Sequence, residues 1–170
     1  MSGFPKTRLA WSLLLLTALG LEATALVFQY VLALDPCVMC VYERLAVIGL
    51  MAAGLIGLIN PRMLLLRLGG YIVWGISAAW GMALAWEHVG YQRDPTAAMS
   101  CSFLPDFPAW MPLHEWFPAV FLPTGYCDDI QWQWLSLSMP EWMVVVFGIY
   151  LAVLFVVAIV EIGGVLKRRG

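Results

Sequence analysis

Residues 35–44 read Asp35-Pro36-Cys37-Val38-Met39-Cys40-Val41-Tyr42-Glu43-Arg44, and the 15 residues after them, Leu45 to Ile59, carry no charge before Asn60-Pro61. A helix that crosses a hydrocarbon core of roughly 30 Å needs about 20 predominantly apolar residues. The run reaches that length only if the helix begins near Val41. The stretch therefore predicts a membrane span over 41–60, with Glu43 and Arg44 in its first turn and two cysteines at its lip. Asn60-Pro61 ends it, because the residue before proline is disfavoured in the helical region.

Three more spans follow from the same criterion. Leu68 to Trp86 and Trp142 to Val160 are each 19 residues without Asp, Glu, Lys or Arg, and Leu9 to Leu34 carries only Glu22. The predicted spans are 10–32, 41–60, 67–87 and 141–162. Met139-Pro140-Glu141 opens the last, with proline tolerated at a first helical position and an acid near the positive end of the helix dipole. The 170 residues are 62% hydrophobic and 12% charged, against roughly a quarter charged in soluble domains, which argues against a soluble protein. Lys6 and Arg8 before an apolar run, with Ala23-Thr24-Ala25 beyond, resemble a cleavable signal. The run continues through Leu26-Val27-Phe28 and Val31-Leu32, too long for a signal core, and is read as an uncleaved span. The expected fold is an all-α membrane protein, one integral membrane domain over 1–170. It is a four-helix bundle with connections over 33–40 and 88–140, the second a long outer loop between the third and fourth spans.

Charge placement orients the bundle. Of nine Lys and Arg, seven lie at the N-terminus (Lys6, Arg8), between the second and third spans (Arg62, Arg67) or at the C-terminus (Lys167, Arg168, Arg169). Those regions share one side, and the positive-inside rule makes it the cytoplasm, with both termini there. The opposite side holds all four cysteines or their membrane edge; in a bacterial cell it is the oxidising periplasm. The net charge of −2 says little about partners. No nucleic-acid partner is expected. The loop 88–140 is punctuated by Pro95, Pro105, Pro108, Pro112, Pro118, Pro123 and Pro140. Its aromatic stretch, Phe107 to Leu122, reads as a short helix or turn in the headgroup region, or as a loop packed on the helix ends.

The cysteines carry the chemistry. At the start of a helix, Cys40 has backbone N–H groups and a positive dipole end around it, which favour thiolate over thiol. Arg44, four residues on, shares its helical face and adds a positive charge; Glu43 opposes this unless it is turned toward another partner. Cys-x-x-Cys is not followed by histidine, which excludes c-type haem. Zinc is not expected, because Cys101 and Cys127 have 25 residues between them rather than two to four. A structural bridge between Cys37 and Cys40 would close a loop too small to stabilise much, whereas one between Cys101 and Cys127 would contribute roughly 3–4 kcal/mol. A relay by thiol–disulfide exchange remains open for the second pair, as does simple stapling. Glu22 is an ionisable group inside a span, functional by default but able to pair within the bundle. His114 is read as a loop residue, and the tryptophans as interface anchors.

These features together resemble the DsbB family of disulfide-generating quinone reductases over nearly the whole chain. The resemblance lies in Phe28-Gln29, Asp35-Pro36-Cys37-Val38-Met39-Cys40, Tyr42-Glu43-Arg44, Glu87-His88, Cys101, the Pro108 to Phe121 stretch, Gly125-Tyr126-Cys127 and Met139-Pro140. It implies a quinone cofactor, ubiquinone or menaquinone, and a DsbA-like periplasmic thioredoxin-fold partner in the bacterial inner membrane's outer compartment. That compartment is kept oxidising by DsbA, DsbB and quinone. It further implies Cys37, Cys40, Cys101 and Cys127 as catalytic, with Cys101 attacked first, Cys127 then attacking Cys37, and Cys40 released toward the quinone. Arg44, His88, Gln29 and Met139 would bind the quinone, Arg44 by stabilising developing negative charge. His88 would hydrogen-bond it or shuttle protons, although a capping histidine explains its position equally well. Tyr30 stands where some relatives carry histidine. Two other classes are weighed: a structural or assembly membrane protein stapled by disulfides, and a vitamin K epoxide reductase-like enzyme, whose cysteine pairs run in the reverse order along the chain.

Overall fold

The structure, a computed structural model, describes residues 6–169. Four long helices dominate it: α1 (Arg8–Tyr30), α2 (Val38–Ile59), α3 (Leu64–Arg93) and, numbered after the short elements between, α7 (Met139–Arg169). All four are long and apolar enough to cross a membrane, which makes the chain a four-span membrane protein, as the composition predicts. The basic side chains of Lys167, Arg168 and Arg169, counted in the charge pattern, lie outside those described.

Helix boundaries follow local chemistry, with three differences from expectation. Thr7 caps α1 by accepting the Ala10 N–H, and Asn60 leaves α2 in an extended conformation before Pro61. But α2 starts at Val38, not near Val41, because Cys37 itself is the N-cap: its sulfur accepts the Cys40 N–H at 3.3 Å. Glu43 and Arg44 therefore sit in the second turn. The third helix runs to Arg93, so His88 lies within it rather than in the outer loop. The outer segment also contains a small antiparallel hairpin, β1 (Gln133–Trp134) and β2 (Leu137–Ser138), which an all-helical reading misses. Its two-residue loop needs φ > 0 at both central positions, and Leu135 and Ser136 adopt 52° and 64°. Neither residue type announces such a turn. The segment is otherwise irregular chain interrupted by single-turn helices, α4 (Pro95–Ala98), α5 (Leu113–Trp116, with His114 stacked on Phe107) and α6 (Pro118–Phe121).

The helices pack in chain order, α1 on α2, α2 on α3 and α3 on α7. The core centres on Trp11, Leu50, Ala53, Ala78 and Phe147. Small residues make room for its rings. Trp11 fills the space a Cβ would need at Gly57, a Cβ on Gly70 would meet the same ring at 2.8 Å, and Phe147 occupies the place of one on Gly81. Apolar lipid offers little hydrophobic drive between spans, so such close packing supplies much of their association. At the end away from the cysteines, Arg67, only 5% exposed, donates to Glu161 at 2.7 Å and to the Pro61 carbonyl, and Tyr71 donates to Glu161 at 3.0 Å. This clamp ties α3 to α7.

Gly57→Leu should displace Trp11 and destabilise the bundle by about 1–3 kcal/mol, seen as a lower thermal midpoint in detergent; an unchanged midpoint contradicts the packing. Arg67→Ala leaves Glu161 without its guanidinium partner and should cost about 3–5 kcal/mol. Arg67→Ala/Glu161→Gln should recover part of that loss in the same assay.

Candidate active site

Pro36 holds the chain extended into Cys37, so the first cysteine caps the helix and the second enters its first turn. Their sulfurs are unbonded and 3.0 Å apart. Helical spacing then places Cys40, Glu43, Arg44 and Val47 on one side of α2, all lining one cleft. From α3, one turn before its end, His88 reaches the pair. Its Nδ1 lies 2.9 Å from Glu43 Oε1 and its Nε2 3.4 Å from Cys37 Sγ. With Nδ1–H donating to the carboxylate, Nε2 is left to accept the Cys37 thiol proton. His88 is 3% exposed and Glu43 5%, so this Glu–His–thiol chain is dry, and its hydrogen bonds are correspondingly strong.

Arg44 shares the cleft with Cys40 and is held there by uncharged oxygens. Its guanidinium donates to Gln29 Oε1 at 2.6 Å, to the Val120 carbonyl at 2.9 Å and to the Ala25 carbonyl at 3.2 Å. It joins α1, α2 and α6 instead of bonding a cysteine. The ring that the cysteine pair meets is that of His88, which accepts from Cys37, and Glu43, read as opposing a thiolate, is turned onto that histidine. An acid in the opening turns of an apolar span was the available signal for Glu43; its partner lies 45 residues away and gives none.

The cleft gathers Cys37, Cys40, Arg44, His88, Gln29 and Met139, six of the eight residues singled out in sequence. It encloses about 850 Å³ of non-atom space, part of it open to the outside, and Leu21, Ala25, Phe28, Trp132, Pro140 and Met143 make its walls largely apolar. Cys101 and Cys127 are not on it. They form a disulfide with Cα atoms 6.5 Å apart, packed beside Cys37, Val38 and Met39. Cys127 is 5% exposed, whereas Cys101 is partly open and flanked by the exposed Met99 and Ser100.

What brings the two pairs together is a backbone clamp that sequence reasoning missed. The Thr124 and Gly125 N–H groups both donate to the Pro36 carbonyl, at 2.8 and 3.0 Å. Thr124 also donates to the Asp35 carboxylate, and Gln131 exchanges two hydrogen bonds with the Asp35 backbone. Gly125 sits so close to the Asp35 carbonyl that a Cβ there has no room. The segment before Cys127 is thus bolted to the segment before Cys37.

Known proteins of similar sequence match this chain along almost its whole length. The sequence model of the family described as disulfide bond formation protein DsbB matches residues 7–157. Disulfide bond formation protein B of Shewanella loihica is 58% identical over 156 residues, 92% of this chain and 91% of that protein. Those of Shewanella amazonensis and Psychromonas ingrahamii are 53% identical over 148 residues (87% and 88%) and 50% identical over 169 residues (99% and 90%). A match of this extent and identity, on a four-span bundle with two neighbouring cysteine pairs, means that the chain belongs to the DsbB family of disulfide bond formation proteins.

Proposed function

We propose that this disulfide-generating membrane oxidoreductase reoxidises a DsbA-like thioredoxin-fold protein in the bacterial periplasm and delivers the electrons to a membrane quinone, ubiquinone or menaquinone. The observation that carries the reading is the shared cleft. Cys40 lines it together with the donors Arg44 and Gln29, and Leu21, Ala25, Phe28, Val47, Trp132 and Met143 supply apolar wall between the polar groups. That donor set suits a flat, lipid-soluble ring with carbonyl acceptors: apolar faces for the ring, hydrogen-bond donors for its oxygens. The basic residues clustered at the opposite end of the bundle support an inner-membrane location with the cysteines outside.

The relay follows from exposure and proximity. A thiolate of the reduced partner attacks Cys101, the more open sulfur of the second pair, so the Cys101–Cys127 bond breaks and Cys127 leaves as a thiolate. The partner's second thiol displaces Cys101 and closes its own disulfide. Cys127, held beside Cys37 by the clamp on Pro36, attacks Cys37 in the oxidised Cys37–Cys40 pair. Cys40 departs as a thiolate onto the cleft, at the positive end of α2. Return of Cys101 onto Cys127 releases Cys37, whose re-pairing with Cys40 yields two electrons. A bound quinone supplies the two-electron sink. Arg44 holds positive charge where negative charge develops, and His88, steadied by Glu43, carries the Cys37 proton. Gln29 orients Arg44, and Met139 closes the apolar wall.

Cys40→Ser should reduce quinone turnover with a reduced partner to background, while the Cys101–Cys127 pair still oxidises about one equivalent of partner dithiol. Full turnover in this variant ends the proposal. Arg44→Lys loses the forked donor geometry and should lower quinone turnover by about 100-fold with that single-equivalent exchange unchanged. Gly125→Ala, by pushing the two loops apart, should slow exchange between the pairs roughly 10- to 100-fold, measured by trapping the Cys37–Cys127 species; equal trapping rates remove the clamp from the relay.

A further inference from the structure

Glu22 is a carboxyl of the cleft that the relay leaves unused. It belongs to the middle of α1, eight residues before its last residue Tyr30 and so about 12 Å below the helix end. Both its carboxylate oxygens are shielded from solvent, and neither has a hydrogen-bond partner among the described residues. Its side chain nevertheless lines the same cleft as Cys40, Arg44 and His88. An isolated ionised carboxylate at such depth is costly and usually marks a functional position.

The surroundings say which form the group takes. Arg44 is within electrostatic reach of Glu22, yet its hydrogen bonds go to three uncharged oxygens, on Gln29, Ala25 and Val120. An ionised Glu22 would compete for that guanidinium, since a charged acceptor outbids neutral ones. The other titratable groups on the cleft are Cys37, Cys40 and Glu43 from α2, His88 from α3, and Asp35, Tyr126 and Asp129 from the connecting segments; α7 contributes only Met139, Pro140 and Met143. Glu43 is already bound to His88. Glu22 is therefore a carboxyl on the α1 wall that no hydrogen-bond donor holds as an anion.

We propose that Glu22 is a further catalytic residue of the quinone reduction proposed above: a carboxylic acid that lends the acceptor one of its two protons. The proposal rests on that reading, and its balance is closed. Each turnover removes two electrons and two protons from the partner's dithiol; the protons leave into water on the partner's side, and the electrons arrive through Cys37 and Cys40. Two carbonyl oxygens in the cleft must then each gain a proton as the electrons enter. Glu22 is placed to give one proton on the α1 side and His88 the other; the Cys37 thiolate takes a proton from water and passes it to His88, which so ends the cycle unchanged. The Glu22 carboxylate so formed has Arg44 at hand as counter-charge. It recovers a proton from water entering where Asp35, Asp129 and Gln131 line the cleft, and ends the cycle unchanged.

Two measurements on the full-length chain test this. In quinone-free protein, infrared spectroscopy should find a protonated-carboxyl band that disappears in Glu22→Gln and persists, displaced, in Glu22→Asp. With quinone and reduced partner, Glu22→Gln should lower kcat about 100-fold, leave KM for quinone nearly unchanged and remove one limb of the pH profile. Single-equivalent oxidation of the partner by Cys101–Cys127 should be unaffected, and Glu22→Asp should restore part of kcat. Absence of the band from the wild type, or wild-type turnover in Glu22→Gln, overturns the role of Glu22 alone. A wild type that reduces no quinone overturns the function proposed above and this step with it.

Discussion

The start of α2 is the constraint on which the site depends. Because Cys37 caps the helix with its own sulfur, the helix begins three residues earlier than its apolar run alone implies, and Cys40 falls inside its first turn. Cys40, Glu43, Arg44 and Val47 then fall on one face, and that face is the wall of the cleft. A cap is ordinarily a hydroxyl, amide or carboxylate; a thiol in this place joins a structural task to a reactive group. Forming a bond from Cys37 to Cys40 or Cys127 alters the cap, which couples the redox state of the pair to the end of a membrane helix.

Around that helix the protein satisfies buried charge by chains rather than isolated pairs. His88 answers both Glu43 and Cys37, and Arg44 answers two backbone carbonyls and Gln29. The links reach out to α1, α3 and α6, so the same bonds that settle desolvated groups also fix these elements against α2. At the opposite end, Arg67, Glu161 and Tyr71 do the same between α3 and α7. Between these polar ends the contact is apolar and close, with rings set into the space left by glycines. The bundle is thereby fastened at both levels where water or charge is near.

The long outer segment is held with little regular structure. Paired N–H groups on the Pro36 carbonyl, the Asp35–Gln131 exchange, and the hairpin whose Trp134 carbonyl accepts from the Trp142 indole keep it against the helix ends. The Tyr42 hydroxyl accepts the Asp106 N–H and so fastens the segment to α2 as well. A relay between two cysteine pairs needs them near each other without a rigid weld, and attachment through a few backbone contacts meets that need.

The four spans were legible in the sequence because a hydrocarbon solvent imposes length and apolarity residue by residue, and a local constraint leaves a local mark. Cys37, Cys40, Arg44 and His88 were legible as candidates for a similar reason: polar or reactive groups at the edge of apolar runs stand out against their background, whereas Gln29 and Met139 were marked only by the family resemblance. The partners of these side chains were not legible. That Arg44 faces Gln29 and Val120, that Glu43 holds His88, and that Gly125 closes on Asp35 depend on how helices rotate and loops return across 15 to 90 residues of chain. Local propensity carries no record of such distances. The turn at Leu135-Ser136 was hidden as well, since neither residue favours a left-handed backbone, and the strands and α7 around it enforce one. Sequence determined which side chains the membrane must accommodate; tertiary structure decided which of them meet, because contact is a property of packed elements and not of neighbours in the chain.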